Sequence, residues 1–473
     1  MRSHIRTNLI VMLSALLLAA CADINTDVTV NVIPYPQSVE MTNSVFDKAN
    51  IGNISYVSAA GMPAEAYELQ IRKNRIVIKS SDAAGRLYAE QTLQQLADDE
   101  IMYCGTIKDE PRYEWRGFML DESRHFHGMD QVKELLDMMA RYKLNRFHWH
   151  LSDDQAWRVE IKAYPELCII GAIGSESDPA APAKFYTQDE IREIIAYAAE
   201  RNIEIIPEID MPGHATAFTK TFPDLNGGHR TVNPANEELY PVLDTIMKEL
   251  AELFPGSYIH VGGDEVSTRG WQEVPGMDAF MKKEDIGSYD DIQKYFEHRY
   301  TDIVVSHGKK AIAWDDVIDG DLNKENTILQ WWRHDHPESL EKCLEMGYRT
   351  IICPYDPFYM DYIQDIRCKE GHLVWESYVN SLEDIYGYEL NENPLVMGVQ
   401  GNLWSERVIT KERIHYMIFP RLIAIAERGW TRKENLDYSK FLERLYKEYD
   451  YLDSINVYYY DIRDFGHHPE PMR

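Results

Sequence analysis

Tyr258-Ile259-His260-Val261-Gly262-Gly263-Asp264-Glu265 opens as a short apolar run and closes on two glycines and two adjacent carboxylates. Such a run, too short for a helix and bounded by turn residues, reads as a buried strand. Seven others share its plan: Gly117–Leu120, Arg146–Leu151, Ile203–Ile209, Lys310–Trp314, Thr327–Trp332, Arg349–Cys353 and Val396–Trp404. Amphipathic stretches with helical spacing separate most of them, clearest at Met129–Tyr142, Thr187–Arg201, Glu237–Leu253 and Ser288–His307, with a last one at Lys411–Glu427. Strands alternating with helices imply βαβ units and a parallel sheet. Eight such units predict an α/β fold of (β/α)₈ TIM-barrel type. An open doubly wound sheet would carry a Gly-rich turn after its first strand. Here the first run leads into Asp121-Glu122-Ser123-Arg124-His125 instead.

The remaining runs end as informatively as the first. His148-Trp149-His150 precedes Asp153-Asp154, and Glu208-Ile209-Asp210 precedes Pro212-Gly213-His214. Trp314-Asp315-Asp316, Trp331-Trp332-Arg333 and Trp404-Ser405-Glu406 close three others, and Tyr355 and Tyr359-Met360-Asp361 follow the seventh. A barrel gathers the C-terminal ends of its strands around one mouth. Carboxylates and indoles arriving there describe a polar pocket with aromatic walls, suited to the hydroxyls and C–H faces of a sugar ring. Adjacent carboxylates such as Asp264 and Glu265 drive their pKa values apart, so one can hold a proton while the other is ionised.

Outside the barrel, residues 21–111 read as a small α/β domain. It has strand-like segments at Val28–Ile33, Ile54–Val57 and Ile76–Lys79, and helical spacing over Ala83–Ala97. Residues 112–473 make up the barrel domain. Residues 1–20 read as an export signal, with Arg2 and Arg6 before the apolar Leu9–Leu18. Leu18-Ala19-Ala20-Cys21 resembles a bacterial lipobox, which implies lipidation at Cys21, a lipid anchor in the cell envelope and no other contact with a membrane. The other cysteines, Cys104, Cys168, Cys343, Cys353 and Cys368, form no C-x-x-C pair and signal neither a zinc site nor a disulfide framework.

Several functions are disfavoured. Seventy-eight acidic residues against 49 basic ones give a formal charge of −29, so a nucleic acid would be repelled. There is no G-x-S-x-G elbow and no phosphate-binding G-x-x-x-x-G-K-[ST] loop. His148, His150, His214 and His260, with Glu208 and Asp210, lack H-E-x-x-H spacing. They read as hydrogen-bond support for the carboxylates, with no metal and no cofactor expected.

Several segments, in fixed order, resemble the family-20 glycoside hydrolases, the β-N-acetylhexosaminidases. They are Ile33-Pro34-Tyr35-Pro36-Gln37, Trp115–Asp121 with Ser123–Phe126, Phe147–Arg158, Ile206–His214, His260–Glu265, Val399–Glu406 and Pro420–Glu427. The resemblance implies a small α/β domain preceding a (β/α)₈ catalytic barrel. It further implies an exo-acting, retaining enzyme that removes terminal N-acetylglucosamine or N-acetylgalactosamine from an oligosaccharide or glycoconjugate. The substrate's own 2-acetamido group serves as nucleophile in this family. By the same resemblance Glu265 is the general acid/base, Asp264 accepts the acetamido N–H and Tyr359 hydrogen-bonds its oxygen. Trp314, Trp331 and Trp404 would enclose the sugar; between adjacent Trp331 and Trp332, the family spacing favours Trp331. Arg116, Asp361 and Glu406 would hold its hydroxyls, and Asp153 with His214 would support Glu265. Family members often carry Glu where Asp316 stands. Two alternatives are a glycan-binding lipoprotein without catalysis and a disaccharide-releasing relative such as a lacto-N-biosidase.

Overall fold

The structure, a computed structural model, describes residues 28–369 and 379–472. The signal and Cys21 lie outside them. The chain forms two compact units, one from 36–110 with 28–32, the other from 111 onward with Ile33–Tyr35.

The smaller unit is a five-stranded sheet made of β1 (Ser38–Val45), β2 (Ile54–Ser58), β3 (Tyr67–Arg72), β4 (Arg75–Ser80) and β5 (Tyr103–Asp109). The order is β1-β5-β3-β4-β2, antiparallel except for β2 alongside β4. The helix Ala83–Asp98 is N-capped by Asp82, whose carboxylate accepts from Gly85 N. Residues 28–32 form no strand, contrary to expectation, although Val30 and Val32 are buried. Pro34 and Pro36, which follow, lack the N–H that a continuing ladder requires.

The larger unit is a closed barrel of eight parallel strands. The first three are β6 (Trp115–Asp121), β7 (Arg146–His150) and β8 (Glu204–Glu208). After a small hairpin, β9 (Asn226–Gly228) with β10 (Thr231–Val232), come β11 (Tyr258–His260), β12 (Lys310–Trp314), β13 (Thr327–Trp331), β14 (Arg349–Ile352) and β15 (Val396–Leu403). All eight predicted runs are these barrel strands, and β15 closes against β6. The lumen is layered because side chains alternate along each strand. Trp115, Ile206, Ile312, Ile328, Ile351 and Met397 form an apolar floor. One step up each strand, His148, Glu208, His260, Gln330 and Gln400 form a buried polar layer. Alternate residues such as Phe147, Trp149, Leu329 and Trp331 instead join the main core cluster.

Helices Met129–Arg141, Gln188–Ala199, Leu239–Leu253 and Tyr289–Ser306 stand where the periodicity predicts them. The predicted Lys411–Glu427 helix is two, Lys411–Ile418 and Arg421–Trp430. Pro420 lacks the N–H and crowds the preceding turn. The five cysteines among the described residues are buried free thiols. No helix among the described residues is long and apolar enough to cross a membrane.

Candidate active site

A cavity of about 390 Å³ opens at the C-terminal ends of the strands, with Asp264 and Glu265 in its wall. Neighbours along an extended strand point to opposite faces, so two consecutive carboxylates need a special backbone to share one cavity. Gly262 and Gly263 take φ of +74° and +99°, and Glu265 itself takes +50°. A Cβ at Gly262 would lie 1.8 Å from Asp210 Oδ1, so only glycine fits there. Asp210 Oδ1 in turn accepts Gly263 N at 3.1 Å. Left-handed backbone at a non-glycine residue costs roughly 1–2 kcal/mol, which this turn holds at its functional residue.

Behind Glu265 lies a chain of charged groups. His214, also left-handed at φ +47°, places Nε2 3.5 Å from Glu265 Oε2 and 3.8 Å from Asp264 Oδ2. Its Nδ1 meets Asp153 Oδ1 at 3.0 Å. Asp153 Oδ2 accepts from Arg124 Nη1 at 2.7 Å and from His150 Nε2 at 2.9 Å. Asp153 is fully buried, yet Arg124, His214 and His150 hold its carboxyl well below the usual range. Burial pushes Asp264 up to about 7, with Asp316 and Glu265 adding to the rise and His214 opposing it. The His214 hydrogen bond instead holds Glu265 down. Of the two, Asp264 is therefore the one that holds a proton more readily.

Aromatic rings make the other wall. Trp404 lies 6.2 Å from Tyr359 between centroids, and Trp332 stacks on Tyr359 at 6.3 Å and 18°. Asp316 fixes this wall by accepting Trp332 Nε1 at 2.8 Å. Trp314 is buried beneath, 6.0 Å from Trp404, with Nε1 donating to Glu208 at 2.9 Å. Trp331 is a correction. It is buried in the main core cluster, with Nε1 on His336 O, and Trp332 faces the cavity instead. The alternation on β13 carries the signal, since Ile328 and Gln330 point into the lumen and the next inward position is 332.

At the closed end, Arg124 lies against Trp404, its Nε 3.8 Å from Glu406 Oε1. Asp361 is buried close by, and burial with Glu406 beside it raises its pKa well above normal. Arg421 fixes the loop that carries Tyr359 and Asp361 by donating to the carbonyls of Met360, Tyr362, Asn380 and Met417. Arg116 is the second correction. It sits at the opposite, N-terminal end of β6, fully buried, donating to Lys143 O and Tyr113 O beneath Trp430. Arg124, eight residues on and past the strand's C-terminal end, lines the pocket instead. Arg158 secures that segment, donating to the carbonyls of Glu122, Ser123, Ala172, Gly174 and Lys184. Arg230, Asp154, Gln155 and Glu176, none of them singled out from sequence, line the cavity as well.

His148, Glu208 and His260 bring ligand-type atoms together, as do Asp210, His214 and Asp264. In the first group, His148 and His260 each sit about 3 Å from a Glu208 oxygen. Those distances are within hydrogen-bond reach.

Residues 113–433 match the glycosyl hydrolase family 20 catalytic domain, and 46–110 match domain 2 of that family. A beta-hexosaminidase of Porphyromonas gingivalis is 34% identical over 83% of this chain and 55% of its own length. One from Vibrio furnissii is 36% identical over 78% and 66%. The chain thus spans roughly half to two thirds of these relatives. A GH20 exo-beta-N-acetylglucosaminidase from Vibrio harveyi, solved with N-acetylglucosamine, superposes with TM-score 0.83 at 33% identity, covering 91% of this chain and 78% of that one. With both of its units matched in order, the chain belongs to glycosyl hydrolase family 20.

Proposed function

We propose that the protein is an exo-acting, retaining β-N-acetylhexosaminidase using the substrate's acetamido group as nucleophile. The observation that carries this reading is that consecutive Asp264 and Glu265 both line one cavity with Tyr359, Trp332 and Trp404. In the first step Glu265 protonates the glycosidic oxygen while the acetamido oxygen bonds to the anomeric carbon and the C–O bond to the leaving group breaks. Asp264 accepts the acetamido N–H and offsets the positive charge of the oxazolinium ion. Buried Tyr359, whose pKa is far above neutrality, remains a phenol and donates to the acetamido oxygen. Water then attacks the anomeric carbon, the bond from that carbon to the acetamido oxygen breaks, Glu265 takes the water's proton, and the acetamido group and the β configuration are restored. Binding has to reverse that order of proton affinity. A donated N–H favours ionised Asp264, and covering Glu265 with sugar removes the water that favours its charge.

Arg124, Asp361 and Glu406 at the closed end support capture of one terminal sugar. The names borne by the Porphyromonas and Vibrio relatives support the same substrate class. The expectation of export and lipidation at Cys21 belongs with this proposal and rests on Leu18–Cys21 alone. The test is hydrolysis of 4-nitrophenyl N-acetyl-β-glucosaminide and its galactosaminide, with the released anomer followed by proton NMR. First appearance of the β-anomer is expected. Inert substrates would overturn the single-sugar activity, and an α-anomer the acetamido participation.

A further inference from the structure

The charge chain does not stop at Asp153. His150 places Nε2 2.9 Å from Asp153 Oδ2 and Nδ1 2.5 Å from Glu208 Oε2. Both partners are carboxylates, which accept when ionised, so both ring nitrogens are donors and the ring is an imidazolium. Glu208 accepts from Trp314 Nε1 at 2.9 Å, and His148 Nε2 and His260 Nδ1 lie 3.0 and 2.9 Å from its oxygens. The groups facing His150 from its neighbours are Asp121 and Arg124 from β6 and the turn after it, Glu208 and Asp210 from β8, and the Trp404 indole following β15. Its fully buried ring has a pKa raised well above the ordinary histidine value by the Glu208 and Asp153 charges.

We propose that His150 is a positioning residue for the proton transfer made by Glu265: clamped between Asp153 and Glu208, it keeps Asp153 aimed at His214 and thereby sets the His214–Glu265 contact. The inference rests on the functional reading above. Asp153 Oδ2 is shared by Arg124 and His150, leaving Oδ1 for His214 Nδ1. Without His150, the carboxylate can turn toward Arg124 and release the histidine behind the acid/base residue. The predicted defect is specific to proton transfer. A dinitrophenolate departs without a proton, whereas a sugar alkoxide needs one.

The experiment compares wild type, His150→Gln and Glu208→Gln on a 2,4-dinitrophenyl N-acetyl-β-glucosaminide and on N,N′-diacetylchitobiose, with pH profiles of kcat/KM. Each variant is expected to lose at least about tenfold more on the disaccharide than on the activated glycoside, with a shifted pH limb. Equal loss on both substrates, or no loss, overturns the proposal. Glu208→Gln preserves shape, so its result decides the matter if His150→Gln does not fold. A wild type inert on both substrates instead removes the functional reading, and this inference with it; an active wild type with uniformly impaired variants removes the inference alone.

Discussion

Arg116 and Arg124 stand at the two ends of one strand, both buried, and they do different work. Arg116, at the N-terminal end, spends its donors on the Lys143 and Tyr113 carbonyls and lies under Trp430. Arg124, beyond the C-terminal end, meets Asp153, Asp121 and Glu406 and lines the cavity. One arginine donates to main-chain carbonyls beneath an indole. The other is paired with carboxylates and has a substrate-facing side. In a barrel the direction of the strand decides which is which, because the strands' C-terminal ends form the reacting face.

The sharpest way to break this comparison is to remove the chemistry at the C-terminal face. Glu265→Gln is expected to lower turnover of an unactivated N-acetylglucosaminide by about 10²–10⁴-fold, and near-normal kcat would reject Glu265 as acid/base. Asp264→Asn should lose about 10²–10³-fold without unfolding, as removal of a preorganised charge partner does. Its pKa of about 7 adds a sign. Catalysis needs ionised Asp264 and protonated Glu265, so kcat/KM should be level just below about pH 7, where each gain of protonated Glu265 offsets a loss of ionised Asp264, and should fall tenfold per pH unit above it. In the Asn variant only Glu265 titrates and the fall should begin at lower pH; a wild-type profile that drops between pH 7 and 5 would exclude the assignment. The arginines themselves come next. Arg124→Lys should lower kcat/KM about ten- to a hundredfold, mainly through KM, because hydrogen bonds to charged groups are worth about 1.5–3 kcal/mol. Arg116→Lys should leave kcat/KM unchanged and lower Tm by about 2–4 °C. Equal kinetic effects from the two would erase the distinction between the faces. The smallest expected effect is none at all. Incubation with EDTA should leave the rate unchanged, and a loss restored by zinc would contradict a metal-free site.

Most of the barrel was legible because a buried strand ending in a polar residue is a local pattern, and eight such patterns occur in order. Asp264 and Glu265 were legible for the same reason, since the two glycines before them mark the turn. Arg116 misled because a motif names its residues without giving their height along the strand. Trp331 misled because an adjacent pair hides which member points inward, although counting in twos from Ile328 through Gln330 resolves it. Strand β1 went unseen because its alternation, Val39, Met41 and Val45, is broken by Asn43 and buries only Met41. The clamp on His150 depends on β7 and β8 lying side by side, which no local pattern encodes.

Arg158 gives all of its hydrogen bonds to main-chain oxygens: Glu122 and Ser123 on the segment bearing Arg124, and Ala172, Gly174 and Lys184 on the long loop after β7. A backbone oxygen is present whatever the side chain. The loop can therefore change its sequence at rim positions such as Gln155 and Glu176 while Arg124 stays in place, ready for the sugar of the proposed reaction. Selectivity for what lies beyond the first sugar is free to drift on this scaffold without being re-engineered together with the catalytic centre.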